Sequence, residues 1–238
     1  MSHPYEQLPS HAFWRTGVAE ADPAAMGDIC KPKFRLAMSD QIATAGSCFA
    51  QHVGRALRGA GLTVLDAETP PDGVTDETAR RFGYGLFSGR YGNIYTARQL
   101  VQLLQDVVDD AVDPADVWQR DKRYYDALRP GVEPEGLSSP NEVLLMRHTH
   151  LRRVGGMLAE ASVFVFTLGL TEAWIDQCRG RVFPSCPGVI AGQFDAAQHA
   201  FVNFRYAEIM VDLARARNLL KQIQPDMRMI LTVSPVPL

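Results

Sequence analysis

Three features of the sequence predict a three-layer α/β/α sandwich built on a parallel sheet. Short apolar runs suited to strands alternate with longer stretches that carry apolar residues at helical spacing. One run, Ser162-Val163-Phe164-Val165-Phe166-Thr167-Leu168, is continuously β-branched or aromatic, as expected of a central parallel strand covered on both faces. Strand and helix alternate from Gln41 to the last residues, the order that helical crossovers between parallel strands produce.

Taken in order, residues 1–40 are Pro-rich and irregular, with Phe13 and Trp14 as a bulky pair, and are expected to wrap the domain formed by residues 41–238. Gln41 to Ala45 reads as a strand that runs at once into Gly46-Ser47-Cys48-Phe49-Ala50 and a helix. That helix presents Phe49, Val53 and Leu57 on one face, stops at Gly61, and is followed by a second strand at Leu62–Leu65, giving a β-α-β unit. Residues 66–95 are dense in Gly, Pro and aromatics, too long and patterned for an ordinary connection, and are read as a functional loop.

Thr96 and Gln99 form a capping-box pattern ahead of a helix with Leu100, Leu103, Leu104 and Val107 on its apolar stripe. Asp109 to Gly136 shows no period and reads as an irregular excursion. Ser139-Pro140-Asn141-Glu142 combines an N-cap, a proline at the first helical position and a capping glutamate, and Val143, Met146, Val154 and Met157 carry the helix onward. After the Ser162–Leu168 strand and a further Gly/Pro-rich stretch, Asn203 is expected to cap a helix reaching about Gln224. Its core face would be Phe204, Ala207, Met210, Val211, Ala214 and Leu220. Met229–Val233 is the last strand.

Composition narrows the function classes. A chain of 238 residues, 46% hydrophobic and 21% charged, is long enough for one sizeable core and reads as one large domain. The net charge of −3 offers no basic excess for a phosphate backbone, so no nucleic-acid partner is expected. Charges and prolines interrupt the first thirty residues, which reads against a signal peptide or membrane span and for a cytoplasmic location. Cys30, Cys48, Cys178 and Cys186 make no C-x-x-C pair, so neither a disulfide framework nor a metal site is indicated, and no cofactor is expected.

The chemistry centres on Ser47. A serine at a strand-to-helix junction lies at the carboxyl edge of a parallel sheet, with free N–H groups of the helix start nearby and the helix dipole favouring a developing oxyanion. A serine that merely caps a helix has the same local signature.

The pentapeptide Gly46-Ser47-Cys48-Phe49-Ala50 is the signature of the GSCFA family, and further blocks follow in that family's order. They are Tyr91-Gly92-Asn93-Ile94-Tyr95-Thr96, Thr167-Leu168-Gly169-Leu170-Thr171-Glu172-Ala173-Trp174, Phe183-Pro184-Ser185-Cys186-Pro187-Gly188 and Val233-Ser234-Pro235-Val236-Pro237. The resemblance covers roughly residues 40–238. It implies a fold similar to SGNH/GDSL hydrolases, flavodoxin-like in layout, with Ser47 as nucleophile and Gly92 and Asn93 where second-block oxyanion donors come from. Gly169 matches the third-block glycine, but the asparagine that usually follows is absent. Thr171 and Glu172 occupy that region, and an ionised Glu172 cannot donate a hydrogen bond.

The superfamily's catalytic aspartate and histidine follow the strand that here reads MILTVSPVPL, and no residue matches them. The domain is therefore expected to be incomplete at its carboxy-terminal end, and residues 1–238 alone to hydrolyse esters near background. As substitutes, His52 turns away from Ser47 along its helix, His148 and His150 are two apart on a helix and do not face together, and His3 and His11 lie in the irregular start. His199 follows a Gly/Pro-rich loop and is the first to consider. Cys48 reads as a small core residue more readily than as a thiol nucleophile. Trp174 and Tyr91 suit either stacking on a sugar ring or burial against the sheet.

Three functions follow: an esterase or acyltransferase acting through Ser47 on a small-molecule or carbohydrate ester, a relative that binds such ligands without turnover, and a protein-interaction module. Nothing in the sequence fixes the oligomeric state.

Overall fold

The computed structural model describes residues 3–22 and 32–234. The chain forms two compact units, Met1–Ala37 and Met38–Leu238. The described part of the first unit holds a 3-10 turn, Ser10–Ala12, and a single π-type turn, Arg15–Ala19.

The second unit is organised on a four-stranded parallel sheet made of β1 (Gln41–Gly46), β2 (Thr63–Val64), β5 (Val163–Leu168) and β9 (Arg228–Val233), in the order β2-β1-β5-β9. The two runs read as strands 41–45 and 162–168 are thus adjacent and parallel, with Ala43 opposite Phe164 and Gly46 opposite Thr167. Their carboxyl ends coincide, which brings the loops after Gly46 and Leu168 to one sheet edge. The helix α1 (Ala50–Gly59) packs on β1 and β2. The helices α3 (Ala97–Asp109), α4 (Pro140–Glu160) and α5 (Tyr206–Ile223) pack against one another. Together these helices flank the sheet in the expected sandwich.

Ala43, Ala45, Phe164 and Phe166 alternate along β1 and β5, so all four present side chains to one face. There they join Leu100 and Leu104 of α3, Leu151, Val154 and Leu158 of α4, and Leu219 and Leu220 of α5 in the main core. Burying each of these Leu or Phe side chains contributes roughly 1.5–3 kcal/mol. The Thr96–Gln99 capping box forms as expected, the Thr96 hydroxyl accepting from the Gln99 N–H and the Gln99 carboxamide oxygen accepting from the Thr96 N–H.

Several elements differ from expectation. In α1 the deeply buried residues are Ala50 and Gly54, whereas Phe49, Val53 and Leu57 are only half-buried, because the small residues let the helix backbone settle close over Thr44. The 66–95 loop contains α2 (Asp76–Arg81), started by Thr75 accepting from the Thr78 N–H, with acids in its first turn and Arg80 and Arg81 in its last, the polarity its dipole favours. The 109–136 excursion is not irregular throughout. It holds an antiparallel hairpin, β3 (Val117–Arg120) and β4 (Arg123–Asp126), whose two-residue turn places Asp121 at φ 55. Aspartate tolerates that left-handed conformation, so no Asn-Gly or Asp-Gly pair marked the turn.

The Gly/Pro-rich stretch after β5 likewise contains an antiparallel sheet in the order β7-β6-β8, from β6 (Glu172–Asp176), β7 (Arg181–Phe183) and β8 (His199–Asn203). Asn203 belongs to β8, and α5 starts three residues later with Arg205 at its N-cap. The buried face of α5 is Asp212, Ala216, Leu219 and Leu220, while Ala207, Met210, Val211 and Ala214 are exposed. The helix is turned this way because Asp212 is ion-paired at 2.7 Å with Arg98 of α3, which anchors the interface through a polar contact that an apolar count misses.

A lattice of charges centred on the buried Asp106 and Asp116 ties these additions to the sandwich. Asp106 of α3 accepts from Arg147 of α4 at 2.7 Å and from Arg181 of β7 at 2.5 Å. Asp116 accepts from Arg181 at 2.8 Å and Arg179 at 2.5 Å, and Asp126 from Arg129 at 2.8 Å. Burial alone would raise the Asp126 carboxyl, but Arg147 and Arg129 hold it below the usual carboxylate range.

Candidate active site

The site is built where β1 ends. Gly46 sits at φ +142, a conformation closed to L side chains, and a Cβ there would stand 2.3 Å from the Thr167 carbonyl oxygen. Only glycine lets β1 run this close to β5 and then turn. Ser47 follows with its N–H donating to the Thr167 carbonyl at 3.1 Å, so that amide is engaged in the sheet. The turn Ser47-Cys48-Phe49 leads into α1, the Ser47 carbonyl accepting from the Ala50 N–H at 2.9 Å.

Ser47 is 0% exposed, and its hydroxyl has no hydrogen-bond partner among the described residues. Most buried hydroxyls are satisfied, because leaving one unmade costs about 1–3 kcal/mol. Beside it, the backbone N–H groups of Cys48 and Phe49 find no acceptor among the described residues, as the first amides of a helix do not.

The 91–96 segment closes over this turn. The Ile94 N–H donates to the Gly46 carbonyl at 2.9 Å, which pins Gly92 and Asn93 next to the end of β1. Gly92, at φ +68, and Asn93 contribute backbone N–H groups that also lack acceptors among the described residues. The Asn93 Nδ2 donates to the Tyr95 hydroxyl at 3.1 Å, and its buried Oδ1 is without a partner. Turning the amide over would let Tyr95 donate to Oδ1 and leave Nδ2 as the unpartnered donor, so either assignment leaves one end of the amide unspent. Burial raises the Tyr95 phenol above its ordinary pKa despite the bond from Asn93.

The third-block loop meets the same segment. Gly169 and Leu170 both donate their N–H groups to the Tyr95 carbonyl, at 3.2 and 3.0 Å, so the Gly169 amide positions Tyr95. Thr171 and Glu172 are exposed, the Thr171 carbonyl accepting from Phe204 N–H at 2.8 Å and Glu172 opposing Asn203 in the antiparallel sheet. The structure therefore gathers Ser47, Gly92, Asn93 and Gly169 at one edge and leaves Thr171 and Glu172 outside the residues that line the adjoining cleft.

That cleft has a volume of about 260 Å³. Gln51 of α1, Asn93 and Tyr95 line it, together with the aromatic Phe87 and Tyr91 and with Arg80. Ser47 itself is wholly buried and does not line it.

The histidines separate clearly. His52 is exposed near Arg55, His148 is half-buried near Asp110, and His199 accepts from the Asp195 N–H through Nδ1 while packing on Phe183 and Phe194. None bonds to Ser47. His150 is the unexpected one: wholly buried, it meets Glu68 with Nδ1 at 2.7 Å from Oε2, and its Nε2 has no partner among the described residues. Glu68 also accepts from the Arg90 N–H at 2.7 Å. Burial, with Arg129 nearby, pushes the imidazole down to about 4, outweighing the pull of Glu68. Burial works to raise Glu68, but His150, Arg129 and the Arg90 amide hold it low. At neutral pH the pair is thus a neutral ring donating Nδ1–H to a carboxylate. His150 lies in edge contact with Tyr91, whose hydroxyl donates to the Thr44 carbonyl. The sequence did carry a signal for it, since His150 falls seven residues after Val143 and four before Val154, on the buried stripe of α4.

The model of the GSCFA family matches residues 41–238. The chain belongs to the GSCFA family. The match begins at the first residue of β1 and spans the whole GSCFA sheet, the cleft and the Ser47 turn. No curated protein and no solved structure is similar enough to match. Among the described residues no helix is long and apolar enough to cross a membrane.

Proposed function

We propose that this GSCFA protein is a serine ester hydrolase or acyltransferase acting on an acylated carbohydrate through an acyl-enzyme at Ser47. The observation that carries the reading is a buried serine hydroxyl without a partner, set at a strand-to-helix turn among amides that also lack partners. Ser47 Oγ adds to the acyl carbonyl carbon and gives its proton to a base. Collapse breaks the bond to the sugar oxygen, which takes that proton back, and water or an acceptor hydroxyl then removes the acyl group. The Cys48, Phe49, Gly92 and Asn93 groups are the candidate donors to the oxyanion. The base is an imidazole or carboxylate that reaches Ser47 once it is uncovered, since none among the described residues bonds to it.

A second reading, binding without turnover, draws on the complete burial of Ser47 and the lack of a base within hydrogen-bond reach of it among the described residues. Release of acetate from an acetylated sugar separates the two. Turnover that disappears in Ser47→Ala and falls about 10²–10³-fold in Asn93→Ala supports the acyl-enzyme. A rate unchanged by Ser47→Ala removes it, and binding with no turnover in the wild type favours the second reading.

A further inference from the structure

The residues around the cleft carry a charge bias opposite to that of the chain. The protein has a net charge of −3, yet the cleft is lined by three arginines, Arg80, Arg81 and Arg129, and by no aspartate or glutamate. The three are not equivalent. Arg129 is locked to Asp126 at 2.8 Å and to the Arg90 and Met146 carbonyls, so it shapes the wall. Arg81 pairs with Glu135 at 2.6 Å, but both side chains are mostly exposed, and such pairs are worth little and exchange readily. Arg80 is exposed and has no ion pair among the described residues. Both α2 arginines also suit the end of their helix dipole, but the dipole does not require the cleft to be free of acids.

Two further groups have unspent hydrogen-bonding capacity. One end of the Asn93 amide and the Ser185 hydroxyl are buried and without partners, and both residues line the cleft. A buried polar atom left this way is costly unless a ligand or water satisfies it. Between these groups the lining is apolar, with Phe87, Tyr91 and Val132 offering faces for a sugar ring or a short acyl group. The volume of about 260 Å³ lies just below the usual range for small-ligand sites, which suits a single sugar residue better than a long acyl chain.

We infer that the cleft binds an anionic, hydroxyl-bearing acyl ester, a sugar carrying a carboxylate or phosphate, with Arg80 and then Arg81 meeting the charge and Ser185 meeting a hydroxyl. The inference rests on the placement of the ester chemistry at Ser47 and adds the class of substrate.

Binding and turnover test the two ideas separately. Calorimetry on Ser47→Ala protein measures affinity for three probes: methyl acetyl-galactosiduronate, its uncharged methyl acetyl-galactoside counterpart, and acetylated glucose 6-phosphate. At least one charged probe is expected to bind about tenfold or more tighter than the neutral one, as a hydrogen bond to a charged group provides. The preference should shrink in Arg80→Gln, vanish in Arg80→Gln/Arg81→Gln and weaken with salt. Which charged probe binds distinguishes carboxylate from phosphate. Equal or tighter binding of the neutral sugar, a preference untouched by the double variant, or no binding by any probe overturns the inference. Retained charge preference with no Ser47-dependent turnover in the wild type would sink the esterase reading alone.

Discussion

Around Asp106 buried charges meet partners on every side, while around Ser47 buried polar atoms are left unspent. Asp106, Asp116 and Asp126 each accept from at least one arginine at 2.8 Å or less, and the arginines bridge from one acid to the next. At the Ser47 turn a hydroxyl, one end of an amide side chain and several backbone N–H groups have no partner among the described residues. Both regions belong to one domain, and Asp106 at the centre of one is buried, as Ser47 is in the other. The difference teaches that burial does not by itself mark function. A satisfied polar cluster specifies how α3, α4 and the hairpin dock, whereas an unsatisfied one holds capacity for something that binds.

The largest effect expected from this contrast is in the charge lattice. Asp106→Ala removes the acceptor shared by Arg147 and Arg181 and leaves the buried Arg147 and the half-buried Arg181 guanidinium groups each short of a partner. Urea unfolding should show a loss of about 3–5 kcal/mol. A loss below about 1 kcal/mol would mean that the lattice is no better satisfied in energetic terms than the Ser47 turn.

The Glu68–His150 pair stands between the two regions, with one imidazole nitrogen bonded and the other unspent. The His150 pKa is lowered on folding, from 6.5 to about 4, so the unfolded chain takes up the proton first. Its contribution to stability is therefore complete above about pH 6.5 and is lost as pH falls toward 4. Glu68, also lowered, loses its contribution at still lower pH, below its ordinary 4.5. Unfolding free energy measured from pH 7 to pH 4 should begin to drop below pH 6.5, with the His150 ring still neutral at pH 5.5 by NMR. A flat profile down to pH 4.5 would show the ring taking up its proton at the same pH in the native and the unfolded chain, so that folding does not lower it.

Much of this was legible in the sequence, and the misses have physical causes. The strands at 41–45 and 162–168 followed from apolar runs that each end at a glycine, and the Thr96–Gln99 cap from its spacing. The hairpin at 117–126 was hidden because aspartate, not glycine, takes its left-handed turn position. Leu220 was placed on the buried face of α5 correctly, but Ala207, Met210, Val211 and Ala214 were not, because a paired Asp212, with Arg98 far away in sequence, occupies that face. At the site, Ser47, Gly92 and Asn93 were named from their blocks. The engagement of the Ser47 and Gly169 amides depends on contacts with Thr167 and Tyr95, and the Glu68–His150 bond joins residues 82 apart, which no local pattern shows.

The central claim is that the Ser47 hydroxyl is held for chemistry at a cost to stability. The protein supplies its own control. Ser88 is also 0% exposed, but its hydroxyl accepts from the Thr44 N–H at 2.9 Å and lies 3.4 Å from the Thr44 hydroxyl. Unfolding free energies of Ser47→Ala and Ser88→Ala, measured side by side at pH 7, compare an unspent buried hydroxyl with a spent one. Ser88→Ala should lose about 1–3 kcal/mol because it leaves a buried N–H unpaired, and Ser47→Ala should be neutral or more stable than the wild type. A loss in Ser47→Ala as large as that in Ser88→Ala would contradict the account, since it would make Ser47 another structural hydroxyl.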